Sequence, residues 1–360
     1  SSLIPLWLLS KRYLDRGLSK LFLCCFLFYP TIFYTNLYVI SYIELSIPLL
    51  LWLFYFFEKK NNTLYIVFLI LCLMTREEVS LVTCFFGIYI LILKRYYLGI
   101  FTIVVSLVYF FTVLLVVMPF FSENVHITTR HYQNLGSSYS DILSTALLNP
   151  LETIMKAASL PKIVSLVIFL IPLCFVPITN PLVFLIATPN LAITFLSDAI
   201  THSSYILYYL SPSIPIFFYA AITGIKKLKK IRFYNVNSLI YSILIASITT
   251  TIFFGATPIS IAFWNKNYSV GNFYTTNFHQ SAYKEEKKDK AAKKIAQLIP
   301  DNAMVLAEQH LLPLLYKKRM YVFPDIHENI EYVFIDRFNK KKTGGIDGTY
   351  MKFRKNPEIY

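Results

Sequence analysis

Charge is what most of this chain lacks. Only 15% of its 360 residues are Asp, Glu, Lys or Arg, against 56% hydrophobic ones, and up to about residue 262 the charged positions interrupt long apolar runs instead of filling them. Cysteine spacing is missing too: Cys24, Cys25, Cys72, Cys84 and Cys174 all fall inside apolar runs, with no CxxC and no His-paired spacing. That pattern excludes a disulfide framework and a zinc site, leaving the five as small apolar side chains. There is no glycine-rich phosphate loop, no HExxH and no nucleophile elbow, so the common nucleotide-binding, zinc-hydrolase and serine-hydrolase patterns are absent. The formal charge of +14 would suggest a nucleic-acid partner in a soluble protein, but much of the excess sits in short loops between apolar runs. There it reads as membrane anchoring, and no nucleic acid is expected as a partner.

The apolar runs themselves set the fold class. Uncharged stretches at residues 98–122, 163–197, 204–224 and 233–265 meet or exceed the roughly 20 residues a helix needs to cross a bilayer. The second is too long for one ordinary span and carries Asn180-Pro181 in its middle, which predicts two spans joined by a tight turn. Upstream, 18–38 and 39–57 form another pair, and the shorter runs 63–75 and 79–93 flank Arg76-Glu77-Glu78. The expectation is an all-α polytopic membrane protein of about nine transmembrane helices over residues 1–262, with a tail domain over 263–360. The chain opens with Ser1 beside the apolar run 3–9, directly followed by Lys11-Arg12; this reads as the end of a helix that begins upstream.

Orientation follows from the basic loops. Lys11-Arg12 with Arg16 and Lys20, Lys59-Lys60, Lys94-Arg95, and Lys226-Lys227 with Lys229-Lys230 and Arg232 all fall on one side in this topology, which is then cytoplasmic. The other face collects Arg76-Glu77-Glu78, the outer loop 121–162, the loop 198–203 and the tail. Treating 63–93 as one long helix would move Lys94-Arg95 outside, against the same rule. The outer loop contains an amphipathic run beyond Ser138 and Asp141 and another after Pro150, and such helices are expected to lie along the membrane surface.

The tail is of a different kind. Glu286 with Lys290 and Asp289 with Lys293 stand at i,i+4 spacing, which predicts a solvated helix as far as about Leu298. Short β-rich segments follow at 303–307, 320–323 and 331–335, with a helical piece at 310–316. A small extracytoplasmic α/β module is expected.

Four groups of residues could carry chemistry. Ionisable groups at membrane depth are costly and tend to pair or face a cavity; Arg76, Glu77 and Glu78 are such a group, and one Arg cannot neutralise two carboxylates. His126, Arg130, His131 and Tyr132 place cations and rings beside the bilayer, where Arg can grip a phosphate and His can move a proton. Asp198 and His202 share the loop between two spans on the same face. Glu44 lies near the outer end of a span, where an interfacial role is the plainer reading.

Several short stretches together resemble a known family. They are Thr75-Arg76-Glu77-Glu78-Val79-Ser80-Leu81-Val82, His131-Tyr132 with Leu135-Gly136-Ser137-Ser138 and Asp141-Ile142-Leu143, Asn149-Pro150, Pro189-Asn190-Leu191, and the tail segments Ile299-Pro300-Asp301-Asn302-Ala303 and Glu331-Tyr332-Val333-Phe334-Ile335-Asp336. The chain resembles the predicted membrane proteins grouped as domain of unknown function 2079, whose layout is similar to the GT-C superfamily of membrane glycosyltransferases. That resemblance implies a GT-C-like fold, a polyprenyl-phosphate sugar lipid as partner alongside membrane lipids, and sugar transfer to a hydroxyl or amide on the outer face. It also implies an acidic base in a first outer loop, which would precede Ser1. Two departures stand out: Tyr208-Tyr209 replaces the usual His-Tyr ahead of Pro215, and residues 38–57 lack a His-Pro pair.

On that reading Glu77, Glu78 and Asp198 are catalytic candidates. Arg76, His126, Arg130, His131, Tyr132, His202 and Tyr209 are candidates for binding substrate phosphate. Hydrated Mg²⁺ or Mn²⁺ is compatible with the carboxylates, though no ligand spacing demands it. Two other classes use the same charges differently: a transporter or flippase that lines a path with them, and a noncatalytic scaffold that presents the tail to a partner. No internal inverted repeat favours the carrier. Sugar, acceptor and oligomeric state are not legible in the sequence.

Overall fold

A computed structural model of the chain describes residues 2–37, 42–121, 129–136, 139–231, 235–270, 273–274, 278–285, 287–322 and 330–335. The backbone divides into two compact units, Ser1–Gln280 and Ser281–Tyr360.

The first unit is a helical bundle. Its helices are α1 (Leu3–Ser10), α2 (Arg16–Leu27), α3 (Pro30–Leu37), α4 (Ser46–Lys59), α5 (Asn62–Leu73), α6 (Glu77–Ile92) and α7 (Tyr96–Phe121), then α8 (Tyr139–Leu148), α9 (Pro150–Ala157), α10 (Leu160–Leu170), α11 (Pro181–Leu196), α12 (Ser213–Leu228) and α13 (Val236–Phe254). Side-chain caps begin several of them, by satisfying N–H groups that no helical carbonyl can reach. Asp15 Oδ1 accepts from Leu18 N at 2.8 Å, Asn61 Oδ1 from Leu64 N at 3.1 Å, and Asn235 Oδ1 from Asn237 N at 2.9 Å. The turns after α4 and α6 share one device. Lys60 and Lys94 take left-handed φ values of 60° and 61°, and the next N–H reaches back, Asn61 to Phe56 O at 3.1 Å and Arg95 to Ile90 O at 3.2 Å. This is the helix-ending turn that usually carries glycine.

Helix lengths differ from the expectation drawn from apolar runs. Among the described residues α7 and α13 are long and apolar enough to cross a membrane, and the bent pairs α2 with α3 (52°) and α9 with Leu160–Leu173 (70°) raise the number to four at most. The apolar runs had suggested about nine. The difference lies in chain breaks inside those runs. The run 163–197 does divide, at left-handed Cys174 and Phe175 and the following short turn Val176–Thr179; 18–38 bends between α2 and α3; and 204–224 enters its helix only at Ser213. Helices of 12 to 16 residues such as α5, α4 and α6 reach only about 18–24 Å at 1.5 Å per residue, short of the ~30 Å hydrocarbon layer. The break between α5 and α6 is real, with Arg76 extended at φ −164° and ψ 150°, so 63–93 is not one helix.

Helix α12 is the bundle's axis, with 14 of its 16 residues buried. Phe218 on it meets Phe22, Phe26 and Tyr29 edge-to-face at 5.6, 5.0 and 5.3 Å, and Tyr219 stacks on Phe54 at 4.7 Å. On α9, by contrast, Leu151, Ile154 and Met155 are exposed, an apolar face that the other described residues leave open.

In the second unit, α14 (Lys287–Leu298) precedes three short parallel strands, β1 (Met304–Ala307), β2 (Arg319–Val322) and β3 (Tyr332–Phe334), in the order β2-β1-β3. A 3₁₀ segment, Gln309–Leu315, crosses between β1 and β2. Val305 and Ala307 on the central strand pack with Ala296, Leu311, Leu315 and Phe334 into a small separate core. The α/β character expected of the tail is present.

A close approach of α12 to the turn Val176–Thr179 tests this packing. A Cβ on Gly224 would stand 2.9 Å from Val176 O and would also press on Thr179 Oγ1, whereas one on Gly17 meets only a side-chain atom at 3.4 Å. Gly224→Ala is expected to destabilise the chain by about 1–3 kcal/mol, read as a lowered thermal midpoint in detergent, while Gly17→Ala leaves the midpoint nearly unchanged. Equal midpoints for the two variants would mean that α12 does not pack this closely.

Candidate functional site

The break between α5 and α6 leaves Arg76 at the N-cap of α6 and puts Glu77 and Glu78 in its first turn, where the helix dipole favours negative charge. The Arg76 guanidinium turns back on both: Nη2 is 3.2 Å from Glu78 Oε1 and Nε is 3.7 Å from Glu77 Oε1. It also lies 5.7 Å from the Tyr209 ring. Glu78 Oε2 is buried and has no hydrogen-bond partner among the described residues.

Two further segments close around this cluster. His131 and Tyr132 come from the turn Thr129–Tyr132, and His202 from the loop after α11. The imidazoles of His131 and His202 meet at 4.7 Å, and His202 lies 4.3 Å from the Tyr209 ring. Arg76, Glu77, Glu78, His131, Tyr132, His202 and Tyr209 all line one cavity of about 460 Å³. Its remaining wall is largely apolar and includes Leu81, Phe110, Leu114, Met118, Ile193 and Leu196. Phe110, Leu114 and Met118 belong to α7, the most lipid-compatible helix of the bundle.

The frame around these groups is built from backbone contacts. Asp198 does not line the cavity; its N–H donates to His131 O at 2.7 Å and its Oδ2 accepts from Asn134 N at 3.1 Å. It therefore pins the His131 turn to the His202 loop. Asn190, fully buried, donates to Tyr209 O at 3.0 Å and accepts from Ser213 Oγ at 2.7 Å, fixing Tyr209 between α11 and α12. Gly136 lets the loop approach α8 closely, since a Cβ there would meet Asp141 C at 2.9 Å. Glu44 sits in the 3₁₀ turn Tyr42–Leu45 and is not a lining residue. His126 lies outside the described residues, as does the Arg130 side chain.

With this geometry in place the chain can be compared with known proteins. The family described as "Predicted membrane protein (DUF2079)" matches residues 1–345. The chain belongs to that family. No curated protein and no solved structure matches it.

In this family member the frame also depends on a lysine that the charge pattern placed merely at the end of the outer loop. Lys162 is buried, and its Nζ donates to Phe195 O, to Ser197 O at 3.0 Å and to Lys156 O at 3.3 Å, tying α10 to the end of α11. A lone lysine at the mouth of a long apolar run was the available signal. Among the described residues no group of three or more His, Cys, Asp or Glu side chains is placed to hold a metal ion. Arg76 engages one oxygen of each carboxylate of the cavity.

His202 Nδ1 lies 2.8 Å from Ser197 Oγ. Burial, then the charges of His131 and Arg76, push its pKa down from 6.5 to about 4, so the ring is neutral at pH 7. The folded chain then binds fewer protons at this site than the unfolded chain between those two values, and stability falls as pH drops through that window. Thermal midpoints measured from pH 7 to pH 4.5 should decline more for the parent chain than for His202→Gln. Parallel profiles would show that His202 is not held neutral by the fold.

Proposed function

We propose that this membrane protein is a glycosyltransferase that takes a sugar from a polyprenyl-phosphate donor and passes it to an acceptor hydroxyl or amide on the outer face. The multi-pass, GT-C-like topology, with its basic loops cytoplasmic and the α/β tail outside, belongs to the same proposal. The observation that carries it is the mixed lining of the cavity. Two carboxylates, an arginine, two imidazoles and two phenols share it with apolar residues that include part of α7. A lipid-borne headgroup needs both surfaces at once.

In the proposed step the acceptor atom, a hydroxyl oxygen or an amide nitrogen, attacks the anomeric carbon as its proton passes to a carboxylate. The bond from that carbon to the phosphate oxygen breaks, the electron pair leaves with the lipid phosphate, and the sugar is inverted. Glu78, with an orphan buried oxygen, is the better placed of the two acids to take the proton, and Glu77 helps to hold Arg76. Arg76 can meet the departing phosphate through two N–H groups at once, with His131 beside it, and charge stabilisation of this kind is commonly the largest catalytic term. Neutral His202 and Tyr209 shape the headgroup pocket, and Asp198 and Lys162 position the loops that carry it.

Glu78→Gln is expected to lower sugar transfer from a polyprenyl-phosphate sugar by roughly 10²–10⁴-fold, with the protein still extracted as a monodisperse species. Arg76→Lys keeps the charge but loses the planar fork, and should also lower transfer. The measurement is radiolabelled sugar appearing on acceptor in proteoliposomes. Undiminished transfer by Glu78→Gln would remove Glu78 from the mechanism; donor movement across the bilayer without a new glycosidic bond would replace the enzyme by a carrier.

A further inference from the structure

The first unit holds a second cavity of about 430 Å³ at the opposite end of α6, lined by residues from Tyr13 through Lys230. Glu77 and Glu78 start α6 and Leu93 follows its last turn, so the two cavities are separated by about 24 Å, the length of a 16-residue helix. All four basic loops read from the sequence contribute to this end. Lys60, Arg95, Lys226, Lys227 and Lys230 line the cavity, and Arg12 donates to Glu58 O at 2.9 Å beside it.

The five lining cations face a single lining carboxylate, Glu58, a formal excess of four. Glu58 offsets one of the five charges, and its Oε1 accepts from Tyr219 OH at 2.6 Å. Among the described residues none of the five cations forms an ion pair with any carboxylate. Three of them are held in place without being neutralised. Lys227 Nζ donates to Asn180 Oδ1 at 2.7 Å, and Asn180, itself buried, donates to Thr223 Oγ1 at 2.8 Å. Arg95 is fixed by Phe57 O at 3.1 Å and Asn62 Oδ1 at 3.2 Å, and Lys226 lies 4.8 Å from the Tyr13 ring.

Anchoring lysines need only face water and lipid headgroups, and they gain nothing from a concave arrangement around buried amide and hydroxyl groups. Cations gathered in a cavity in excess of the one carboxylate that lines it are what a multiply charged anion requires. We propose that this cavity is a phosphate-binding site, occupied by a phosphomonoester or pyrophosphate group that belongs either to a lipid headgroup or to a soluble compound. The site is independent of the transfer reaction, shares no residue with the Arg76 cavity, and stands or falls separately from it.

The test uses the full chain in phosphatidylcholine nanodiscs. Phosphatidic acid is the lipid probe and inorganic pyrophosphate the soluble one, with binding read by native mass spectrometry and by calorimetry. Two triple variants carry the same loss of charge. Lys60→Gln with Lys226→Gln and Lys230→Gln alters the cavity; Lys59→Gln with Lys94→Gln and Lys229→Gln alters neighbours that do not line it. The cavity variant should bind at least one probe roughly tenfold or more weakly than the parent chain, and the neighbour variant should bind as the parent does. Displacement of bound phosphatidic acid by pyrophosphate assigns the site to a soluble phosphate compound, and retention of the lipid assigns it to a headgroup. Equal losses in the two variants, or no binding of either probe by the parent chain, would overturn the proposal.

Discussion

The constraint on which the first unit depends is the fate of helix-terminal carbonyls. Each helix ends with up to four C=O groups that no N–H of the same helix can reach, and in hydrocarbon there is no water to take them. A bundle with many short or broken helices multiplies such ends. Here side chains from elsewhere in the chain supply the donors. Tyr29 OH reaches Phe169 O at 2.7 Å, Ser247 Oγ reaches Pro172 O at 2.9 Å, Tyr34 OH reaches Gly255 O at 3.0 Å and Tyr132 OH reaches Ile193 O at 2.9 Å. Thr251 Oγ1 takes Phe28 O at 2.5 Å, and Arg95 and Arg12 take the last carbonyls of α4. Leaving such a group buried and unmet costs several kcal/mol in lipid, so the breaks and their donors specify one another.

Both cavities are products of the same arrangement. A chain break is where backbone can turn inward with a polar side chain and still be satisfied, and the functional groups of the first unit lie at or beside such breaks. Arg76 occupies the one between α5 and α6, His202 and Tyr209 the stretch between α11 and α12, and Lys60 and Arg95 the turns after α4 and α6. Lys162 shows the principle most directly. One ammonium serves three carbonyls near the ends of α9 and α11, and the loop that holds His202 starts from carbonyls it binds.

What the sequence made legible follows the range of the interactions. The break around Arg76-Glu77-Glu78 lies between two apolar runs, and the strands of the tail are short β-rich segments set between turns. Both are local signals, and the structure has helices and parallel strands there. Helix length was read too generously. An apolar run does not reveal a bend such as that between α2 and α3, and left-handed turns at Cys174 and Phe175 carry none of the glycine that would announce them. Residue types at the Arg76 cavity could be named from their cost at membrane depth, but their meeting could not. Tyr209 is 133 residues from Arg76, and the contact between them depends on Asn190, whose only sequence signal was a short motif.

The charge balance of the Arg76 cavity constrains how any substrate enters it. Arg76 brings one positive charge to two carboxylates, and the N-terminus of α6 adds the equivalent of about half a charge more. His202, neutral at pH 7, adds none. Arg76 is already paired with both acids, at 3.7 Å from Glu77 and 3.2 Å from Glu78, so a phosphate that reaches the guanidinium competes with them for its N–H groups. In the proposed transfer a leaving phosphate bound by Arg76 loosens its hold on Glu78 and leaves that carboxylate to take the acceptor's proton. The two events are coupled because a single arginine, fixed at the N-cap by the chain break, is shared by two acids.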